Sequence, residues 1–298
     1  MSCLARRDPV AAVRHFEEGY VDFDWGDEAM TPAQVSDATR GTLDTILDHP
    51  EAGAGEAEIL SHPFIRMNVL AVRSRGPIAS EQKALLAAGL VAVGAGNMLS
   101  RRSLGLFFER ALFSDPRDRP PFAVADDLPI RHIPLTAANY RDAVMATSSI
   151  PIVMEGVKGI AGAPAGVYRD GGFTDYHFDM PFLPPAEEGA GEGAGDGIVL
   201  YPHFRPRMIP GWFDKPLKWR RPQAQNLRNV LLIAPSEEFI AGLPGGKIPD
   251  RGDFKLYPSH ERVKVWKQVT NECQRLADEM ADLLATGRIA ERAEPFPG

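Results

Sequence analysis

The sequence predicts an α/β fold, a central and mostly parallel sheet flanked by helices. Three observations carry that expectation. Short β-branched and apolar runs alternate with amphipathic stretches of helical length along the chain. Two of the runs, Ile198-Val199-Leu200-Tyr201 and Val230-Leu231-Leu232-Ile233-Ala234, are continuously apolar, as strands buried on both faces of a parallel sheet are. The 298 residues are 44% hydrophobic, ample for a sizeable core in one large α/β domain spanning the whole chain.

The elements follow in order. Asp8-Pro9 reads as a helix start, with Asp as N-cap and Pro in the first turn, and Val10, Val13 and Phe16 mark an apolar stripe to about Tyr20. Thr31-Pro32-Ala33-Gln34 is a capping box that opens a second helix to about Leu47. Phe64 to Val72 alternates and is rich in Ile, Val and Leu, which predicts a strand. Ser80 opens an Ala-rich helix to Leu99, and Ser103 to Phe113 reads as a further amphipathic helix. A strand at Ile130–Leu135, a helix at Ala138–Thr147 stopped by Ile150-Pro151, and a short strand at Gly166–Arg169 come next. Glu261 to Ala285 is a long amphipathic helix that would close the domain.

Two segments read as loops. Residues 184–197 are low-complexity, acidic and Gly-rich, the composition of a flexible surface loop. Pro206 to Pro222 mixes Pro with Trp212, Trp219 and Lys215, Lys218, Arg220 and Arg221. That mix suits either a packed loop with solvated charges or a lip meeting an anionic interface, and the first is the simpler reading.

Charge and cysteine usage exclude several classes. A net charge of −7 argues against nucleic-acid binding, which needs a basic face. Cys3 and Cys273 lie at opposite ends and match neither a metal pattern nor a disulfide framework, so a reducing cytoplasm is the expected compartment. The start has no apolar core after Arg6-Arg7, unlike a signal peptide. The longest run without a polar side chain, Ala84 to Gly96, is 13 residues, short of the roughly 20 a membrane span needs, and reads as a buried helix.

The most telling motif is Asp170-Gly171-Gly172, at the end of a short apolar segment and preceded by the helix end Ala146-Thr147-Ser148-Ser149-Ile150-Pro151. Asp-Gly is a common turn, yet an acid at a strand end followed by two glycines is also where an α/β fold holds a carboxylate toward a reacting group. Two other constellations compete. Asp175, His177 and Asp179 are spaced by two and would share one strand face, the pattern of a metal cluster or of a hydrogen-bonded structural His, the latter being commoner. Ser148 or Ser149 with His177 and Asp170 would make a triad, but neither serine has the flanking glycines of an exposed elbow. His203, after the strand ending at Tyr201, sits where strand ends often face sites, though packing is the simpler role.

Leu135 to Phe182, which holds both Ala146–Pro151 and Asp170-Gly171-Gly172, resembles the C-terminal part of a patatin-like phospholipase domain. Tyr201-Pro202-His203-Phe204 and Leu243–Asp250 resemble a bacterial branch of the same family, so the likeness covers most of the chain. The resemblance implies hydrolysis of lipid acyl esters by a Ser–Asp dyad without cofactor or metal, and it makes Asp170 the base, with Gly171 and Gly172 completing its motif. A serine hydroxyl needs such a base to become a nucleophile, and backbone N–H groups of a Gly-rich loop would stabilise the oxyanion. The implied partner is a lipid or acyl-ester substrate, met with peripheral contact at a membrane surface.

The family's serine sits in G-x-S-x-G, and no such pattern occurs in this sequence: Ser74 and Ser103 have Gly two residues on, but Val72 and Arg101 stand where the first Gly belongs. In the family the helix after the elbow leads into one like Asp8–Tyr20. The expectation is therefore an N-terminally truncated member, its first strands and elbow lying before Met1, and inactive as written. The rival from another class is a non-catalytic lipid-binding or scaffold protein with a genuine short start.

Overall fold

The computed structural model describes residues 2–24, 30–49, 55–123, 128–183 and 197–296. They fall into two compact units, Met1–Pro184 with Ile209–Pro222, and Pro185–Met208 with Gln223–Gly298. The acidic loop expected over 184–197 lies, but for residue 197, outside the described residues.

In the first unit the helix-start signals at Asp8 and Thr31 act as read, whereas the helix expected to open at Ser80 begins at Lys83 without a side-chain cap. The Asp8 carboxylate accepts from the Ala11 N–H at 2.9 Å and opens α1 (Pro9–Val21). Thr31 and Gln34 bond reciprocally and open α2 (Pro32–Leu47). The apolar stripe of α1 faces the other way from expectation: Val10, Val13 and Phe16 are exposed, while Ala12 is buried. The cause is close approach, since a Cβ on Gly19 would stand 3.1 Å from Ile46 of α2. The thin side of α1 fits the groove and the bulky side is left outward. A short helix, α3 (Glu56–Ser61), follows.

Four strands make one mixed sheet in the order β3-β2-β1-β4: β1 (Asn68–Ser74), β2 (Phe108–Ser114), β3 (Ile130–Pro134) and β4 (Val167–Asp170). β2 and β3 pair in parallel, and β1 pairs antiparallel with both β2 and β4. β2, β3 and β4 therefore run one way and β1 the other.

Alternation along β1 and β2 divides the core. Val69, Ala71, Ala111 and Phe113 face one cluster with Tyr140, Ala143 and Ala146 of α6 (Tyr140–Ser148). Val72 and Phe108 face the opposite cluster with Leu86 and Val93 of α4 (Lys83–Leu99) and with Phe173 and Phe213. Helices thus cover both faces of the sheet, as an α/β layering requires.

Two sequence expectations are corrected here. Ser103–Phe113 is not one helix: α5 (Leu104–Phe107) is a single turn, and the chain then becomes β2, buried along its whole length. The strand carries two charged residues, Glu109 and Arg110. Both are buried, and both are paired: Glu109 with Arg73 at 2.9 Å, Arg110 with Asp175 at 2.6 Å. A satisfied charge can occupy a central strand, where an unpaired one would cost several kcal/mol or lose its charge. The Ala84–Gly96 run is the second correction. It lies in α4 as a helix, but only Leu86, Gly89, Val93 and Asn97 are buried, and the rest of the helix is left partly or fully exposed.

In the second unit β5 (Val199–Pro202) precedes α8 (Ala224–Leu227) and β6 (Val230–Ile233), and the two strands pair in parallel as a separate two-stranded sheet. β6 is half-buried and β5 alternates between half-buried and exposed residues, so neither is covered on both faces as its apolar run predicted. α9 (Glu237–Ala241), α10 (Asp253–Leu256), the long α11 (Ser259–Thr286) and α12 (Ile289–Arg292) complete it. Its anchor is polar. Asp253 accepts from the Trp266 indole at 3.0 Å and pairs with Lys247 at 2.7 Å, while the buried Arg262 guanidinium stacks over Phe254 at 4.3 Å. Among the described residues no helix is long and apolar enough to cross a membrane.

Candidate active site around Asp170

Asp170 ends β4 beside a meeting point of three elements. Its N–H donates to the Ser149 carbonyl at 3.1 Å, tying the strand end to the C-terminal end of α6. Its Oδ1 accepts from the Gly172 N–H at 2.7 Å, a turn that fixes the carboxylate. The chain then enters α7 (Gly172–Asp175), a single turn. Thr147 of α6 donates its hydroxyl to the Leu70 carbonyl of β1 at 2.5 Å, so α6, β1 and β4 converge on one peptide.

The glycine after the acid is a steric necessity. A Cβ on Gly171 would lie 2.2 Å from the Leu70 oxygen, well inside contact. A Cβ on Gly172 would stand 3.0 Å from Asp170 Oδ1, pressing on the carboxylate it orients. Asp170 faces a cavity of about 260 Å³, lined also by Leu70, Thr147, Asp175, Tyr176 and Phe178.

Behind the cavity lies a buried ionic cluster that sequence reading did not find. Arg110 of β2 grips Asp175 through two hydrogen bonds, Nε to Oδ2 at 2.7 Å and Nη2 to Oδ1 at 2.6 Å. The Thr174 hydroxyl adds a bond to Asp175 Oδ2 at 2.7 Å. Arg101 bridges from Asp175 at 3.6 Å to Asp214 at 3.2 Å, and Asp214 accepts from Asn97 at 2.7 Å and from the Gly211 N–H at 3.0 Å. The arginine–aspartate pairs and the Asn97–Asp214 bond join residues 65 to 117 apart in sequence, which is why no local pattern announces them.

The competing constellations are not assembled. Asp175 ends a helical turn and its carboxylate belongs to Arg110, so Asp175, His177 and Asp179 do not share a strand face. Among the described residues no group of three His, Cys, Asp or Glu could hold a metal ion. His177 Nδ1 accepts from the Ile209 N–H at 2.7 Å, a packing role. The Ser148 and Ser149 hydroxyls, at the end of α6, donate back to the Val144 and Met145 carbonyls at 3.0 and 2.8 Å, and neither donates to Asp170. His203 belongs to the second unit, where burial holds its imidazole below the ordinary value.

The 206–222 loop is packed in part and exposed in part. Phe213, Asp214 and Leu217 are buried, while Trp219 is exposed and the Lys215 ammonium sits 3.8 Å from the Tyr176 ring centre. Compared with family models, with curated proteins and with solved structures, the chain gives no match.

Proposed function

We propose that Asp170 is the general base of a patatin-like acyl hydrolase acting on lipid esters, and that this chain carries the acid half of its Ser–Asp dyad. The observation that supports it is the setting of Asp170: a carboxylate at a strand end, oriented by the Gly172 N–H, at a cavity next to Gly171, which cannot be exchanged without a clash, and Gly172, which has little room for a side chain. A carboxylate so held takes the proton of a serine hydroxyl as it attacks the ester carbonyl. It returns that proton to the leaving alcohol, and it repeats the exchange with water to release the acid. Leu70 and Phe178 give the cavity an apolar wall suited to an acyl chain.

The nucleophile is the missing group. Thr147 lines the cavity, but its hydroxyl is committed to Leu70, and the sequence contains no glycine-flanked serine. On its own the chain is expected to leave esters intact. That same observation favours a second reading, a non-catalytic lipid-binding member in which the turn is purely structural.

The test is hydrolysis of p-nitrophenyl esters by this chain and by the longest polypeptide its reading frame encodes, each with and without Asp170→Asn. Turnover in a form that carries a G-x-S-x-G serine, abolished by Asp170→Asn, supports the dyad. Turnover untouched by Asp170→Asn sinks it, and silence in every folded form favours the second reading.

A further inference from the structure

We propose that the outward face of α4, with the 215–222 segment beside its C-terminal end, docks on an anionic lipid surface. The first observation is the face itself. α4 carries apolar side chains all round, which is the pattern of an enclosed helix, yet only one side is enclosed. Leu86, Gly89, Val93 and Asn97 point inward. The opposite arc holds Leu85, Val91, Met98 and Leu99 with alanine between them, and Val91 and Leu99 are 74% and 91% exposed. Leu106, just past the helix, is 74% exposed. At 1.5 Å per residue this face runs about 25 Å, beyond what scattered surface leucines explain.

The second observation is charge. From Lys83 to Phe108 there is no acid, only Lys83, Arg101 and Arg102, in a chain of net charge −7. The segment 215–222 likewise holds four cations and no acid, and it is fastened to α4: Arg220 donates to the Asn97 carbonyl at 2.8 Å, and Phe213 packs with Val93. Arg101 and Arg220 are turned inward to Asp214, at 3.2 and 3.6 Å. Lys83, Arg102, Lys218 and Arg221 are exposed and make no ion pair among the described residues. Trp219, 67% exposed, stands among the last of them. Apolar side chains, a Trp and unpaired cations on one helix-length surface are what an interfacial helix presents to anionic headgroups.

Charge also decides against a second copy as the occupant. A two-fold contact lays the same patch on itself. Four cations without an acid would then face four more, whereas an anionic surface supplies the counter-charge. The inference stands apart from the chemistry of Asp170, and its test uses lipids without ester bonds.

The experiment is co-sedimentation of the full chain with vesicles of ether-linked phosphatidylcholine, alone or mixed with ether-linked phosphatidylserine. Binding is expected only with phosphatidylserine, and salt should release it. Lys218→Gln with Arg221→Gln should weaken partitioning roughly 30-fold, at about 1 kcal/mol per cation near the surface. Val91→Ser with Leu99→Ser, both at exposed sites, should abolish binding while circular dichroism stays unchanged. A folded chain that remains in the supernatant overturns the proposal. So does equal binding to both vesicles, or a dimer in light scattering that Val91→Ser with Leu99→Ser dissolves. Binding that vanishes in the longest polypeptide of the reading frame would assign the face to a further segment of the chain, and overturns it too.

Discussion

At Asp170 the position of one atom decides what the neighbouring residue can be. The Leu70 oxygen lies where a side chain at residue 171 would begin, 2.2 Å from its Cβ. That oxygen is also fixed by the Thr147 hydroxyl and belongs to a central strand, so it has little room to retreat. Gly171→Ala is therefore expected to destabilise the protein by about 1–3 kcal/mol, as overpacked cores do, read as a lowered midpoint in urea unfolding. Gly172→Ala should cost less stability, because the atom it meets is a side-chain oxygen. The acid and its two glycines were legible in the sequence because the turn is local. The reason for Gly171 was not, since Leu70 is a hundred residues away.

Among the elements, β2 carries the clearest departure from the sequence reading and the clearest test. Glu109 and Arg110 sit side by side on a central strand, pointing to opposite faces. Glu109 meets Arg73 of β1 and Arg131 of β3, while Arg110 reaches Asp175. The sequence reading placed both in an amphipathic helix over Ser103–Phe113, and charge is normally outside. Only the arrival of arginines and acids from distant elements makes a strand possible there. Arg110→Met, which takes the two-bond partner from a buried Asp175, is expected to cost roughly 3–5 kcal/mol, and Arg110→Met with Asp175→Leu distinctly less. Denaturant unfolding of both variants checks this, and equal losses would mean that the pair contributes little. α4 makes the complementary point. Its helical character was plain in the run of Ala, Leu and Val, but a sequence apolar on every side does not say which side is covered.

For the molecule as a whole, many carboxylates are held ionised by arginine or lysine. Hydrogen bonds from Arg141 to Asp48, from Arg117 to Asp115 and from Lys247 to Asp250 hold each acid below the ordinary value of 3.8. Burial pushes Glu109 up, but hydrogen bonds from Arg73 and Arg131 outweigh it and leave the group below 4.5. A carboxylate whose folded pKa is depressed contributes stability that is complete above its unfolded pKa and is lost as pH falls through the folded one. The unfolding midpoint is therefore expected to hold near neutrality and to fall as pH drops below the unfolded carboxylate values. Glu109→Gln should flatten that fall; a slope unchanged by the variant would remove Glu109 from the account. The sequence by itself determined what is local: helix caps at Asp8 and Thr31, the apolar runs of β1, β3, β5 and β6, and the acid turn at Asp170. The tertiary structure decided what depends on distant partners. It set β1 against the direction of its neighbours, gave Glu109 and Arg110 a strand interior, tied Ser148 and Ser149 to their own helix, and left one side of α4 open. Hydrogen bonds and caps close within a few residues, whereas burial and ion pairing depend on which segments meet, and that is written in no single stretch of the chain.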